Sequence, residues 1–312
     1  MLRPRMPNPD RPPRRARDDR PADRNTRAAA RPDDRNLHGP ARPFEPRRDA
    51  PRRDEPRRDE PRRDEPRRDE PRAELKICGV NACHAVAERR PDDVRRVYIT
   101  AAHLADFGAF LKKCAAARIA YHVVEDAELE KITQSVHHEG VCFIVREKPA
   151  STLRQLLATP GPRCLVYLDG VQNPHNLGAI VRVCAHFGAT GVLAAGAEAV
   201  ASTAMLRTAE GGGEWVEVLP VHTGPEPLQA ARAAGFKLIA TAARAAHDLY
   251  SRPLPPRAVL LLGSETHGLA PALQRLADET VRIPGTGRLD SLNVACACAV
   301  LLSEYWRVHA KK

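Results

Sequence analysis

Four short apolar runs constrain the fold more than any other feature of the chain: residues 164–168 (CLVYL), 191–195 (GVLAA), 237–241 (KLIAT) and 258–262 (AVLLL). A strand with one wet face alternates apolar and polar side chains, whereas a strand covered on both faces reads as a continuous apolar run. Segments with helical spacing of apolar residues, such as 177–187 and 228–234, separate the runs. This order of strand and helix predicts an α/β domain with a parallel sheet, whose ligand loops lie at the carboxyl ends of the strands. No uninterrupted apolar stretch approaches the ~18 residues of a membrane span. No apolar segment of the signal-peptide kind stands at the N-terminus. A cytoplasmic protein without a membrane partner is therefore expected.

Upstream, residues 74–148 alternate in the same way. Strands are expected at 75–80, 94–99, 119–124 and 141–145, with a helix from about Asn81, an acceptable N-cap. Helices are also expected at 103–117, with Leu104, Phe107, Leu111 and Cys114 on one face, and at 127–132. About 75 residues is a plausible domain size. Residues 1–72 are different: they carry almost no Val, Ile, Leu or Phe. Such a segment cannot bury enough apolar surface to offset the entropy of ordering its backbone, so it is expected to be disordered. Within it, PRRDA at 46–50 is followed by PRRDE units starting at Pro51, Pro56, Pro61 and Pro66. Five residues is too short a period for a solenoid, and a Pro in every unit excludes a regular helix or strand. The expected organisation is a low-complexity arm at 1–72, a small α/β domain at 73–148 and a larger one at 149–312.

The net charge is +10, and roughly +7 of it lies in the arm, where Arg supplies all the basic charge. An Arg-rich arm suits loose, salt-sensitive attachment to a polyanion such as RNA. The repeat itself, two Arg against one Asp and one Glu, reads better as a charge-balanced spacer. The eight Cys form no CxxC pair and several sit in apolar runs. Reduced, mostly buried thiols are expected rather than a zinc site or a secreted disulfide framework.

Three loops of the larger domain, each directly after an expected strand, hold the polar candidates. The first, DGVQNPHNLG at 169–178, places Asn176 at the start of a helix. Arg182 follows one turn after Gly178, off the apolar face; taken singly it is a surface Arg, beside a helix N-terminus that is an anion site. The second, GSETHG at 263–268, has Glu265, which could pair with a cation, bind a ribose hydroxyl or cap a helix. Its His267, a lone loop histidine, is not taken as a base. In the third, IPGTGRLDSLNV at 283–294, Ser291 and Asn293 open a final helix, and taken singly they cap it. There is no GxGxxG after the first strand, no Walker A lysine motif, no HExxH and no GxSxG. A nucleotide hydrolase would need phosphate-loop or metal-ligand residues that are missing from these motifs.

Taken together, NPHNLGAIVRVCAHFG, LLLGSETHG and IPGTGRLDSLNV resemble the three motifs of the SpoU/TrmH family of SPOUT methyltransferases, over about residues 160–308. TAEGGGEWVEVLPV, from Thr208, fits the same domain. GVNACHAV and HHEGVCFIV resemble the family's L30e-like substrate-binding domain. Among subgroups, TAEGG, HHEGVCF and CAHFG are similar to the YfiF-type tRNA/rRNA methyltransferases. The first motif has Asn173 where many relatives have Asp.

The resemblance implies a SPOUT α/β-knot, a mostly parallel sheet with a trefoil-knotted chain, preceded by the L30e-like domain. It implies methyl transfer from S-adenosylmethionine to a ribose 2′-OH of rRNA or tRNA, by a homodimer with the active site near the subunit interface and with no DNA partner. By motif position, Asn176, Arg182, Glu265, Ser291 and Asn293 match the polar active-site residues. The cofactor-binding set is Gly263, Ile283 and Leu292, with Thr241, Gly285 and Gly287 beside them. Asn176 and Glu265 would orient Arg182. The guanidinium stays protonated well above neutral pH, so a phosphate contact or stabilisation of a developing alkoxide suits it better than a base role. The competing reading is a non-catalytic RNA-binding paralogue that keeps the knot; presence of all five polar residues counts against it.

Overall fold

The computed structural model describes residues 72–149, 151–197, 200 and 202–310. The expected N-terminal arm lies outside the described residues except for Arg72, which donates to the Glu147 carbonyl at 3.2 Å and to Asp93 at 3.1 Å.

The first part holds a four-stranded sheet of β1 (Glu74–Cys78), β2 (Val94–Ile99), β3 (Ala120–Val123) and β4 (Val141–Arg146) in the order β1-β4-β2-β3. β4 runs antiparallel to β1 and β2, while β3 joins β2 in parallel. Alternate side chains feed two cores. Ile77, Val97, Ile99 and Phe143 pack with α1 (Val80–Arg89) and α2 (Gly108–Ala116); Cys78 and Cys142 pack with Leu129 of α3 (Asp126–Thr133).

Two helix starts differ from expectation. α1 begins at Val80 after Gly79, whose φ of +102° suits glycine, and Glu139 Oε2 accepts the Val80 N–H at 2.9 Å. Asn81 is therefore inside the helix, its Nδ2 donating to Glu210 Oε2 at 3.2 Å. The helix expected over 103–117 is broken, and only 108–116 is α-helical. Phe107 sits at φ −99°, ψ 7°, its buried ring stacked 4.1 Å from His84 and edge-on to Phe143 at 5.6 Å. Tertiary packing of that ring overrides the helical periodicity around it.

The second part holds a seven-stranded sheet. Its strands are β5 (Arg163–Asp169), β6 (Gly191–Ala195), β7 (Glu217–Val221), β8 (Lys237–Thr241), β9 (His247–Asp248), β10 (Arg257–Gly263) and β11 (Glu279–Arg282). The order is β7-β6-β5-β10-β8-β11-β9, and every pairing among the described residues is parallel. The four apolar runs are the buried centres of β5, β6, β8 and β10, and both faces are covered as the patterning requires. Val166, Leu168, Leu260 and Leu262 pack against α5 (Pro174–His186), α6 (Thr203–Thr208) and α9 (Val294–His309). Leu165, Tyr167, Val259 and Leu261 face α4 (Leu153–Ala158), α7 (Glu226–Ala233) and α8 (Pro271–Leu276). Seven of the eight thiols are buried, and Cys296 is exposed. No helix among the described residues is long and apolar enough to cross a membrane.

The two parts meet along α6 and the segment that follows it, residues 203–214. Glu214, buried, accepts from Arg90 Nε at 2.7 Å and Nη2 at 3.0 Å and lies 3.6 Å from Lys148 Nζ. Arg207 donates to Ser135 Oγ at 3.2 Å.

Candidate active site

A parallel sheet delivers the loop after each strand to one edge, and the strand order here brings the three motif loops together there. The chain leaves β5 outward through β6 and β7 and returns on the other side of β5 with β10, β8 and β11. The first loop follows β5, the second follows its neighbour β10, and the third follows β11.

In the first loop, α5 starts at Pro174, a turn earlier than expected, and Asn173 is its cap, accepting the His175 N–H at 2.9 Å. Asn can accept this bond as Asp does, so the departure at residue 173 leaves the local structure intact. Asn176 then falls inside the first helical turn, free to reach across to the next loop. Gly178 lies under α6, where a Cβ would be 2.6 Å from the Met205 carbonyl oxygen.

The second loop doubles back on itself: Ser264 bridges to Gly268, and the Gly268 N–H donates to the Ser264 carbonyl at 2.8 Å. A Cβ on Gly263 would lie 1.9 Å from the Gly268 carbonyl carbon, so only glycine fits. This holds Glu265 at the tip. His267 bonds only locally, 2.8 Å from Thr266 Oγ1. In the third loop Asn293 is the cap of α9, its Oδ1 accepting the Ala295 N–H at 2.9 Å. Its Nδ2 faces the other loops.

The three side chains join. Asn176 Nδ2 donates to Glu265 Oε1 at 3.1 Å, and Asn293 Nδ2 donates to the same oxygen at 2.6 Å and to Asn176 Oδ1 at 3.1 Å. Asn293 therefore caps a helix and builds the site with one side chain. Around them, Thr241, Gly263 and Ile283 stand at or just past the ends of β8, β10 and β11, which are neighbours in the sheet. Thr241 Oγ1 donates to the Leu261 carbonyl at 3.2 Å. Gly285 and Gly287 border open space, Gly287 at φ +74°. Ser291 and Leu292 are exposed.

Arg182 is not part of this cluster. Its Nη1 donates to Glu210 Oε1 at 2.5 Å rather than to Asn176 or Glu265, correcting the expectation that those two residues hold it. It lies six residues beyond Asn176 on α5, about 9 Å along the axis. Sequence reasoning passed over Glu210, and also His175, whose Nδ1 lies 3.2 Å from Thr208 Oγ1. The TAEGGG segment containing Glu210 was visible, but nothing in it marks which helix its carboxylate meets. The Cys184 thiol is pushed up by its hydrogen bond to Cys298 and by burial, and burial does the same to Cys164.

The arrangement offers two amides and a carboxylate tied across three loops, an exposed guanidinium nearby, and bare backbone at adjacent strand ends. It can orient a neutral or cationic ligand and contact an anion.

Comparison with known proteins identifies the family. Residues 163–303 match the SpoU rRNA Methylase family, and residues 76–150 match a domain described as RNA 2′-O ribose methyltransferase substrate binding. The chain is 38% identical over 235 residues to the uncharacterized tRNA/rRNA methyltransferase YfiF of Escherichia coli O157:H7, covering 75% of this chain and 68% of that protein. It is 35% identical to a 23S rRNA (guanosine-2′-O-)-methyltransferase RlmB of a Burkholderia species, covering 73% of this chain and 96% of that one. Among solved structures, the SpoU methyltransferase AviRb from Streptomyces viridochromogenes in complex with AdoMet superposes with a TM-score of 0.63 at 26% identity. That match covers 75% of this chain and 90% of AviRb. By the match of residues 163–303, the 38% identity to YfiF and the shared fold, the chain belongs to the SpoU rRNA methylase family.

Proposed function

We propose that the chain transfers a methyl group from S-adenosylmethionine to a ribose 2′-OH of an rRNA or tRNA nucleotide. One observation carries the reading: Asn176, Glu265 and Asn293, from three separate loops, converge on a single carboxylate oxygen at the carboxyl edge of the sheet. Two relatives add to it: an RlmB named as a 23S rRNA (guanosine-2′-O-)-methyltransferase, and AviRb, a SpoU methyltransferase in complex with AdoMet.

The residues present fit the cofactor. Thr241, Gly263 and Ile283 line adjacent strand ends, and Gly285 and Gly287 leave open space where a side chain would otherwise project. Backbone groups there would hold the adenosine and methionine parts, with Leu292 as an apolar neighbour. When bound, S-adenosylmethionine supplies a methyl group already activated by its sulfonium, so the protein needs mainly to align the nucleophile and assist proton loss. Asn176 and Asn293 orient Glu265, and the three set the loop edge against which a ribose packs. Ser291, at the mouth of the third loop, can bond the ribose. The Arg182 guanidinium binds the adjacent phosphate and stabilises charge developing on the 2′-oxygen.

Residues 73–148 act as the RNA-docking domain, and the chain works in the cytoplasm as a homodimer. A groove beside Phe187, Val300 and Tyr250, with Tyr250 and Trp306 more than half exposed, supports a second copy packing there. Threading of the chain around β10 into a trefoil knot is part of the same proposal.

Labelled methyl from the cofactor, offered with total RNA, tests the reading. Transfer by the wild type is expected, with transfer lowered about 10²–10³-fold in Arg182→Ala. RNA binding without transfer by the wild type would favour a non-catalytic paralogue.

A further inference from the structure

Residues 208–214 form a wedge between the two parts of the molecule. Glycines let two helices approach it. A Cβ on Gly211 would be 2.7 Å from Ala85 Cβ and 3.1 Å from the Asn81 carbonyl oxygen of α1. A Cβ on Gly212 would be 3.1 Å from both Arg182 Cα and the Val181 carbonyl oxygen of α5. One backbone stretch is thus pressed against α1 on one side and α5 on the other.

The two carboxylates of the wedge differ. Glu214 is buried and shared by Arg90 and Lys148, an anchor between the parts. Glu210 stands where the wedge meets both helices: it accepts from Arg182 Nη1 at 2.5 Å through Oε1 and from Asn81 Nδ2 at 3.2 Å through Oε2. Its backbone lies at φ +44°, left-handed space that glycine enters freely and glutamate does not. Stability does not explain a glutamate there. The Arg182 and Glu210 side chains are 57% and 36% exposed, and an ion pair so open to water adds little. Backbone strain kept without a stability return points to a functional constraint.

We propose that Glu210 is a positioning residue for Arg182: its carboxylate aims the guanidinium, and its second oxygen links that aim, through Asn81, to the docking of the RNA-binding part. This rests on the methyltransferase reading above. One carboxylate oxygen on the guanidinium leaves other N–H donors of Arg182 to face a phosphate. The second oxygen makes the aim depend on where α1 sits.

Glu210→Gln and Glu210→Gly separate this from a structural role. Glutamine keeps the shape and removes the charge, while glycine relieves the left-handed backbone. For both variants kcat at saturating RNA should fall about tenfold or more, with KM for RNA and calorimetric S-adenosylmethionine affinity within about twofold. Thermal midpoints should be unchanged for Gln and unchanged or higher for Gly. Asn81→Ala should give a smaller fall in kcat, and none when added to Glu210→Gln, because both act through one contact. In ¹⁵N spectra, the Arg182 Nε–Hε signal should lose its ordering in Glu210→Gln, a readout that needs no turnover. Wild-type kcat in Glu210→Gln, or a loss matched by a fall in thermal midpoint, would overturn the proposal. A wild-type protein that transfers no methyl would instead overturn the reading on which it rests.

Discussion

In the four-stranded sheet β4 runs antiparallel to both β1 and β2, so loops leave from both ends; in the seven-stranded sheet every pairing is parallel, so each strand hands its loop to the same edge. Both alternate strand and helix, and both are covered on two faces. Strand direction brings the loops to one edge, and strand order makes neighbours of distant segments. Asn176 and Asn293 lie 117 residues apart and still bond at 3.1 Å. The antiparallel part contributes its effect indirectly, through Asn81 and the Glu214 anchor.

The division can be broken from the site side first. Arg182→Ala should lower kcat by about 10²–10³-fold, with cofactor affinity within a few-fold; full turnover would refute the assignment. Next comes the junction. Glu214→Ala leaves Arg90, 10% exposed, without its bidentate partner. Urea unfolding should show a loss of about 3 kcal/mol, and a change below about 0.5 kcal/mol, the range of ordinary surface substitutions, would show that the two parts do not depend on this anchor.

Gly263→Ala tests the loop edge itself. The added methyl collides with the Gly268 backbone, so a loss of about 1–3 kcal/mol should accompany weakened S-adenosylmethionine binding by calorimetry. Unchanged binding would place the cofactor elsewhere. The smallest effect lies at the amino edge of the sheet. Burial raises the Asp278 carboxyl pKa, but the Leu238 N–H at 2.9 Å and the cations Arg232 and Lys237 outweigh it and hold it below its ordinary value. A depressed folded pKa stabilises above the unfolded value, about 3.9, and the contribution is lost as pH falls through the folded value. Asp278→Asn should therefore cost about 1 kcal/mol at pH 7, and the gap to wild type should narrow in urea unfolding as pH is lowered progressively below about 3.9. A gap that persists there would assign the effect to shape rather than charge.

What could be read without the structure follows the same division. Buried parallel strands announce themselves as apolar runs, and β6 and β8 coincide with the runs at 191–195 and 237–241. The helix face of Val294, Cys298, Leu301 and Tyr305 is buried as its spacing requires. Asn176, Glu265 and Asn293 were identified only as a set, because each alone is an ordinary cap or surface residue. Their shared oxygen is a tertiary fact. Glu210 was missed because its partners lie 28 and 129 residues away in sequence, and no local pattern encodes such a meeting. The start of α1 was misread because a neighbour's carboxylate, Glu139, replaced the local cap. Apolar spacing around Phe107 is the same whether or not its backbone is helical, so the pattern alone predicts a helix there.

On this reading the polar edge of the parallel sheet directs methyl transfer to a ribose oxygen. Nucleoside mass spectrometry of RNA methylated by the wild-type protein, using isotopically labelled S-adenosylmethionine, tests it most directly. Label confined to 2′-O-methyl nucleosides is the expected result. Label on a base, or none in RNA at all, would contradict it.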